Sequence, residues 1–166
     1  GQAGARVVDC QADDGAAPVV VDILLAEPDR LSPGRQVPPG VASGGTSSGT
    51  IDDHDLALAA AMRGRPVVSA AALSPVPADD DREPMVGRVA VRGAAWPERL
   101  QKAAGVVRPL PVLEEAGEGV GIVNLYPDLD SVVRTVPGVV AVEEGLLPGL
   151  AIEAVRVATG SANLVV

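Results

Sequence analysis

Aromatic side chains are almost missing from this chain: Trp96 and Tyr126 stand alone among 166 residues, and there is no Phe. Any core must therefore be built from Val, Leu, Ile and Ala, and there is scarcely a platform on which nucleic-acid bases could stack. Cys10 is the only cysteine and His54 the only histidine. An internal disulfide, a Cys-based zinc site and a two-His metal site within one chain are all excluded. Basic residues are outnumbered, 13 against 22 acidic, for a formal net charge of -9. That sign opposes contacts to nucleic-acid phosphates and to anionic lipid headgroups, so no nucleic-acid partner is expected. No run of ~18 apolar residues is present that could cross a bilayer. The first residues lack the basic-then-apolar order of a signal peptide, and the chain opens on Gly1 with no Met. It is expected to be part of a longer protein.

What is present is the composition of a globular domain, 47% hydrophobic and 21% charged, in a length that suits one domain over residues 1–166. Residues 3–13 read as a helix. The apolar, β-branched run Val19–Leu25 reads as a strand buried on both faces. A Pro/Gly/Ser-rich loop spans 31–51. Asp52 or Asp53 then caps a helix from Asp55 to Met62, and Gly64 ends it. Pro66–Ala70 reads as a second buried strand, which makes a parallel βαβ unit with the first. After an acidic, Pro-rich loop over 74–87 come a short strand at Val89–Val91, a helix at Pro97–Ala104 and a second at Pro111–Ala116. Val120–Leu125 and Ser131–Val136 read as an antiparallel hairpin around the turn Pro127–Asp130, with Val139–Val142 as a further strand. A last helix, Pro148–Ala158, offers Leu150, Ile152, Ala154 and Val155 to the interior, and Gly160 stops it. The fold class expected is α/β: a mixed sheet with a parallel βαβ core, an antiparallel hairpin in the C-terminal half and flanking helices.

Three motifs invite chemistry that their context does not support. Gly45-Thr46-Ser47-Ser48-Gly49 has the spacing of a hydrolase nucleophile elbow, but Pro38, Pro39 and Gly40 stand where the preceding buried strand should be. In Asp52-Asp53-His54-Asp55, consecutive side chains at a helix start point in different directions, so capping explains them better than a metal. Gly117-Glu118-Gly119-Val120-Gly121 precedes a strand, whereas a dinucleotide loop follows one. Neither a metal nor an organic cofactor is expected. Asp79, Asp80 and Asp81 read as a solvated loop and Cys10 as a small buried side chain.

Taken in order, VVVDILLAEPDR (19–30), DLALAAAMRGRPVV (55–68), and GIVNLYPDLDSVVRTVPGV (121–139) followed by LPGLAIEAVRVATG (147–160) resemble the type-two CHASE domain. This is a family of extracellular sensory domains associated with bacterial cyclases, histidine kinases and serine/threonine kinases. The Gly-x-x-Asn, Pro-Asp-x-Asp and Val-Val-Arg-x-Val-Pro pieces of the third segment carry most of the resemblance. It implies a non-catalytic sensor on the outer face of the cytoplasmic membrane. A small-molecule or protein signal would be passed to membrane helices of the same protein and on to a cytoplasmic output domain. An earlier strand and the flanking membrane helices are expected to lie outside residues 1–166. The family carries no ligand motif, so candidate contacts come from position alone. Asp22 interrupts an apolar strand, where a buried carboxylate needs partners. Glu27 and Asp29 lie just beyond that strand's carboxyl end, where open α/β sheets bind ligands. Asn124, Asp128, Asp130 and Arg134 complete the set, although Arg134 is better explained by pairing with Asp128 or Asp130. Two other readings stay open: a protein-docking or homodimerisation module without a small-molecule ligand, and a small soluble α/β hydrolase.

Overall fold

The computed structural model describes residues 8, 18–30, 32, 53–77, 82, 89–92, 100–142 and 145–165. Most of the residue 3–13 segment and the 31–51 loop, with its Gly-x-Ser-x-Gly motif, lie outside these residues, as do Cys10 and Asp79–Asp81.

Strand β2 (Val67–Ser74) is the axis of the sheet. Its first half pairs in parallel with β1 (Val19–Val21) on one side, Val20 opposite Val68. On the other side it pairs in parallel with β5 (Gly119–Ile122), Ala70 opposite Gly121. Its second half pairs antiparallel with β4 (Gly105–Val107), Leu73 opposite Val106. Hemmed in on both edges, Val67, Val68, Ala70 and Ala71 are inaccessible to solvent, and the stretch is correspondingly a continuous run of small and β-branched residues. Helix α1 (His54–Met62) joins β1 to β2 and completes the βαβ unit. Asp53 is its N-cap, accepting from the N–H groups of Asp55 (2.9 Å) and Leu56 (3.5 Å). Gly64 ends the helical stretch at a φ of 71°, the left-handed backbone that glycine adopts without strain.

One core cluster joins Leu58, Ala59 and Met62 of α1 to Val19, Val67 and Leu113, the last from helix α2 (Pro111–Ala116). A second joins Ala71, Val106 and Ile122 to the hairpin of β6 (Val139–Val142) and β7 (Gly145–Pro148), through Val140, Val142 and Leu147. Helix α3 (Leu150–Ala158) packs on β5 and β2. A small parallel pair, β3 (Val89–Ala90) with β8 (Leu164–Val165), sets the end of the chain beside residues 89–90.

The α/β class, the βαβ unit and a C-terminal-half hairpin stand as read from the sequence, with four local corrections. β1 is three residues long, not seven, and Ile23 (65% exposed) and Leu24 (42%) face solvent. Among the described residues one of its edges is paired, and the chain then turns so that the Leu25 carbonyl accepts from Leu110 N–H at 2.9 Å. The described part of the expected 97–104 helix, residues 100–104, is extended. Ala103 N–H donates to the Ala141 carbonyl and Ala141 N–H to that of Gln101, so pairing with β6 overrides helix propensity. Third, the hairpin is β6–β7 rather than 120–125 with 131–136. Val132 spends its N–H on Asp130 Oδ1 (3.2 Å) and its carbonyl on Asp128 N–H (3.0 Å), leaving no ladder to form, and Gly149 instead bridges to Ile122 at the edge of β5.

The fourth correction concerns α3. Leu150 and Ala154 are half-buried, but Ile152 and Val155 are exposed, and the buried positions are Glu153 and Arg156. The reason is a cleft made by glycine. A Cβ at Gly119 would collide with the Glu153 side chain, and one at Gly121 would stand 2.5 Å from the Leu150 Cα. Gly119 and Gly121, the residues that mimic a dinucleotide loop, are there to let a polar helix face lie on the strand.

Candidate functional site

The site residues read from the sequence fall into two groups, one at the carboxyl end of β1 and the other beyond β5. In the first group, Asp22 is exposed. The expectation of a buried carboxylate fails because β1 has already ended at Val21. Glu27 is exposed and pairs with Arg30 at 2.7 Å. Asp29 is better enclosed. Its Oδ2 lies 2.7 Å from His54 Nδ1, and its N–H donates to Asp55 Oδ2 at 2.9 Å. His54 N–H in turn donates to the hydroxyl of Ser32, which is fully buried. A carboxylate facing Nδ1 selects the tautomer protonated there, or the imidazolium. These bonds tie residues 29 and 32 to the first turn of α1. They hold the connection in place, and no group of three or more acids, His or Cys suited to a metal occurs among the described residues.

In the second group, Asn124 is a strand terminator. Its side-chain oxygen accepts from Leu73 N–H at 2.6 Å, next to the Val123 N–H bond to the Ala71 carbonyl at 3.0 Å. Two residues past β5, the chain is still fastened to β2. It then leaves through Leu125-Tyr126-Pro127, where the proline forces the residue before it into extended backbone. Asp128–Ser131 turns, with Ser131 N–H donating to the Asp128 carbonyl at 2.9 Å and Ser131 at a φ of 63°. Arg134 folds back over the turn. It donates to Asp130 through both terminal guanidinium nitrogens, at 2.9 and 2.7 Å, and to Asp128 at 2.8 Å. Arg134 and the bond from Val132 N–H together hold the Asp130 carboxyl below its ordinary range. All three side chains are about half exposed. The pairing of Arg134 with both acids is therefore what the spacing suggested, closed across a turn rather than across two strands. No hydrogen bond or ion pair joins this group to Asp22, Glu27 or Asp29 among the described residues.

A cavity lined by described residues lies beside the second group and was not read from the sequence. It is a groove of about 670 Å³ between the 126–139 segment and α3. Val136, Pro137, Val139, Leu100 and Ile152 give it an aliphatic lining. Arg92, Gln101, Tyr126 and Thr135 bring polar groups to it. None of these four side chains has a hydrogen-bond or ion-pair partner among the described residues. Strand-end logic points to the acids and misses the groove, because its walls are loop residues and a helix face expected to be buried. One signal was available: the chain's single Tyr sits in an apolar loop segment, between Leu125 and Pro127.

Exposed apolar side chains continue outside the groove, with Leu129 fully exposed and Val133 and Val155 at 42% and 58%. Among the described residues no helix is long and apolar enough to cross a membrane. No curated protein and no solved structure gives a significant match to the chain. The family model for the CHASE2 domain matches residues 2–165. That match takes in both ends of the sheet, the 123–138 segment and α3, so the resemblance carried by the Gly121-to-Pro137 signature extends over the whole fold. The chain belongs to the CHASE2 domain family, a family of extracellular sensory domains found in signalling receptors.

Proposed function

We propose that this domain is the non-catalytic signal-input module of a bacterial transmembrane receptor whose output is a nucleotide cyclase, a histidine kinase or a serine/threonine kinase. The observation that carries the reading is the family match over residues 2–165. The chemistry of the strand ends supports it. Asp128 and Asp130 are engaged by Arg134, Glu27 by Arg30 and Asp29 by His54, an arrangement that braces loops rather than presenting a nucleophile to a base. Signal binding outside the membrane shifts the domain between two conformations, and helices of the same protein carry the bias across.

The test is topological and functional. In the protein as its gene encodes it, with every native cysteine, Cys10 included, replaced by Ala, a membrane-impermeant maleimide is applied to intact cells carrying Leu129→Cys. Labelling before lysis is expected, and labelling that requires permeabilisation overturns the reading. Deletion of residues 2–165 is expected to change the activity of the output domain. An output unaffected by the deletion rejects a signal-input role.

The exposed faces of α3 and the 125–136 segment favour a second reading, a module that docks a protein partner or a second copy of itself. A molecular mass that rises with concentration in light scattering, abolished by Val155→Asp, would establish it.

A further inference from the structure

The groove deepens the sensory reading, because its chemistry defines a class of ligand. Its volume of about 670 Å³ falls within the ~300–1,000 Å³ typical of small-molecule sites. The wall formed by Val136, Pro137 and Ile152 suits an apolar body, which gains ~25 cal/mol for each Å² removed from water. The polar side is one-signed. Arg92 is the only charged side chain among the described residues that line the groove, and no partner engages it there. Asp128 and Asp130, which follow Tyr126, are held by Arg134, and Glu153, which follows Ile152, is held by Arg156. On a chain of net charge -9, a guanidinium with no partner among the described residues, set beside an apolar wall, marks a point where an anion is favoured against the surrounding field. A guanidinium also matches a carboxylate in planar, two-bond geometry, and the Tyr126 hydroxyl and Gln101 amide supply further donors.

We infer that the groove between Arg92, Tyr126 and Ile152 is a binding site for a single-chain amphiphile with an anionic head, of the class of medium-chain carboxylates, with the head at Arg92 and the chain along Val136 and Ile152. The inference rests on the sensory reading only in treating the occupant as the signal. Binding itself is measured on the purified chain and does not depend on topology, so either can fail while the other stands.

The probe is decanoate, titrated below its micelle-forming concentration into the labelled chain and followed by two-dimensional NMR. Saturable shifts at Tyr126, Val136 and Ile152 are expected. Arg92→Gln should weaken binding about tenfold, and Val136→Asp, which sets a charge against the apolar chain of an anionic ligand, should weaken it at least as much. Decyltrimethylammonium, with the same chain and the opposite charge, should not saturate the site. Both substitutions are at exposed positions, and either alone suffices if the other fails to fold. Shifts centred elsewhere, equal affinity for Arg92→Gln, or equal binding of the cationic amphiphile overturns the inference. So does a dimer, detected by light scattering at the same concentrations, that covers the groove.

Discussion

Arg156 grips Glu153 with two parallel hydrogen bonds, Nε to Oε2 at 2.9 Å and one terminal nitrogen to Oε1 at 2.7 Å, and both side chains are only 4% exposed. The same guanidinium donates to the carbonyls of Glu118 (2.8 Å) and Ser161 (2.9 Å). One side chain thus fastens three segments: α3, the approach to β5 and the chain that follows Gly160. The hydrogen bonds to Glu153 keep Arg156 charged, above its ordinary range, against the cost of burial. Removing one partner strands a buried charge, so Glu153→Gln and Arg156→Met should each cost about 3–5 kcal/mol in urea unfolding. The double variant Glu153→Gln/Arg156→Met should cost less than the sum of the two single replacements, since no lone charge remains. Additive costs would show that the pair does not act as a unit.

The glycines beneath α3 make a second prediction. A Cβ at Gly121 meets helix backbone, the Leu150 Cα and nitrogen at 2.5 and 2.9 Å, and backbone cannot rotate away. Gly121→Ala should therefore cost about 1–3 kcal/mol, the range for an overpacked contact. At Gly138 the nearest obstacle is the Ile152 Cγ1 at 3.7 Å, an ordinary contact, and Gly138→Ala should be nearly neutral. Chemical denaturation of both variants tests the contrast, and equal stability would mean that α3 does not rest on β5 so closely.

These contacts also mark where sequence reading reached and where it stopped. The βαβ unit was legible because β2 is paired on both edges, which demands an unbroken small and β-branched run, and because Asp53 and Gly64 bracket α1 with a cap and a stop. α3 was placed correctly along the chain and wrongly around its axis. Periodicity assumes that apolar residues face inward, whereas Gly119 opens a slot that an ion pair fills. The turn signal Pro127–Asp130 suggests Ser131–Val136 as a returning strand. Its backbone groups at Val132 are spent on Asp128 and Asp130, a local competition that composition does not reveal. Of the candidate site, the Arg134 pairing could be read from spacing. The groove could not, because it joins Arg92, Tyr126 and Ile152 from three separate parts of the chain.

Asn124 is the hinge pin between the sheet and the groove segment. Replacing it by Leu keeps the bulk and removes the acceptor for Leu73 N–H, a part-buried bond. A loss of about 1–3 kcal/mol is expected, the cost of leaving such a donor unsatisfied. Amide exchange should quicken first at Leu73 and Val123, before the α1 core responds. Uniform acceleration across α1 and β2 would show that Asn124 supports the whole fold rather than this junction.

The last prediction concerns the turn that Arg134 closes. Arg134 contributes most to lowering the Asp130 carboxyl, and the Val132 N–H bond adds to it. A carboxyl lowered in the folded state stabilises that state fully above its unfolded value of ~3.9. The contribution falls away as pH drops through the lower folded value. Acidification should therefore release the turn before the core unfolds, because solvent screens these exposed groups and the core does not depend on them. Carboxyl-detected NMR should find Asp130 titrating below the ordinary Asp range. In Arg134→Gln it should move up toward that range while keeping the smaller lowering from Val132 N–H. Raising the salt concentration should shift the wild-type value the same way, by less, since hydrogen bonds outlast screening. An Asp130 titration unchanged by Arg134→Gln would mean that the guanidinium does not sit over the turn in solution, and that the 126–139 wall of the groove is braced in some other way.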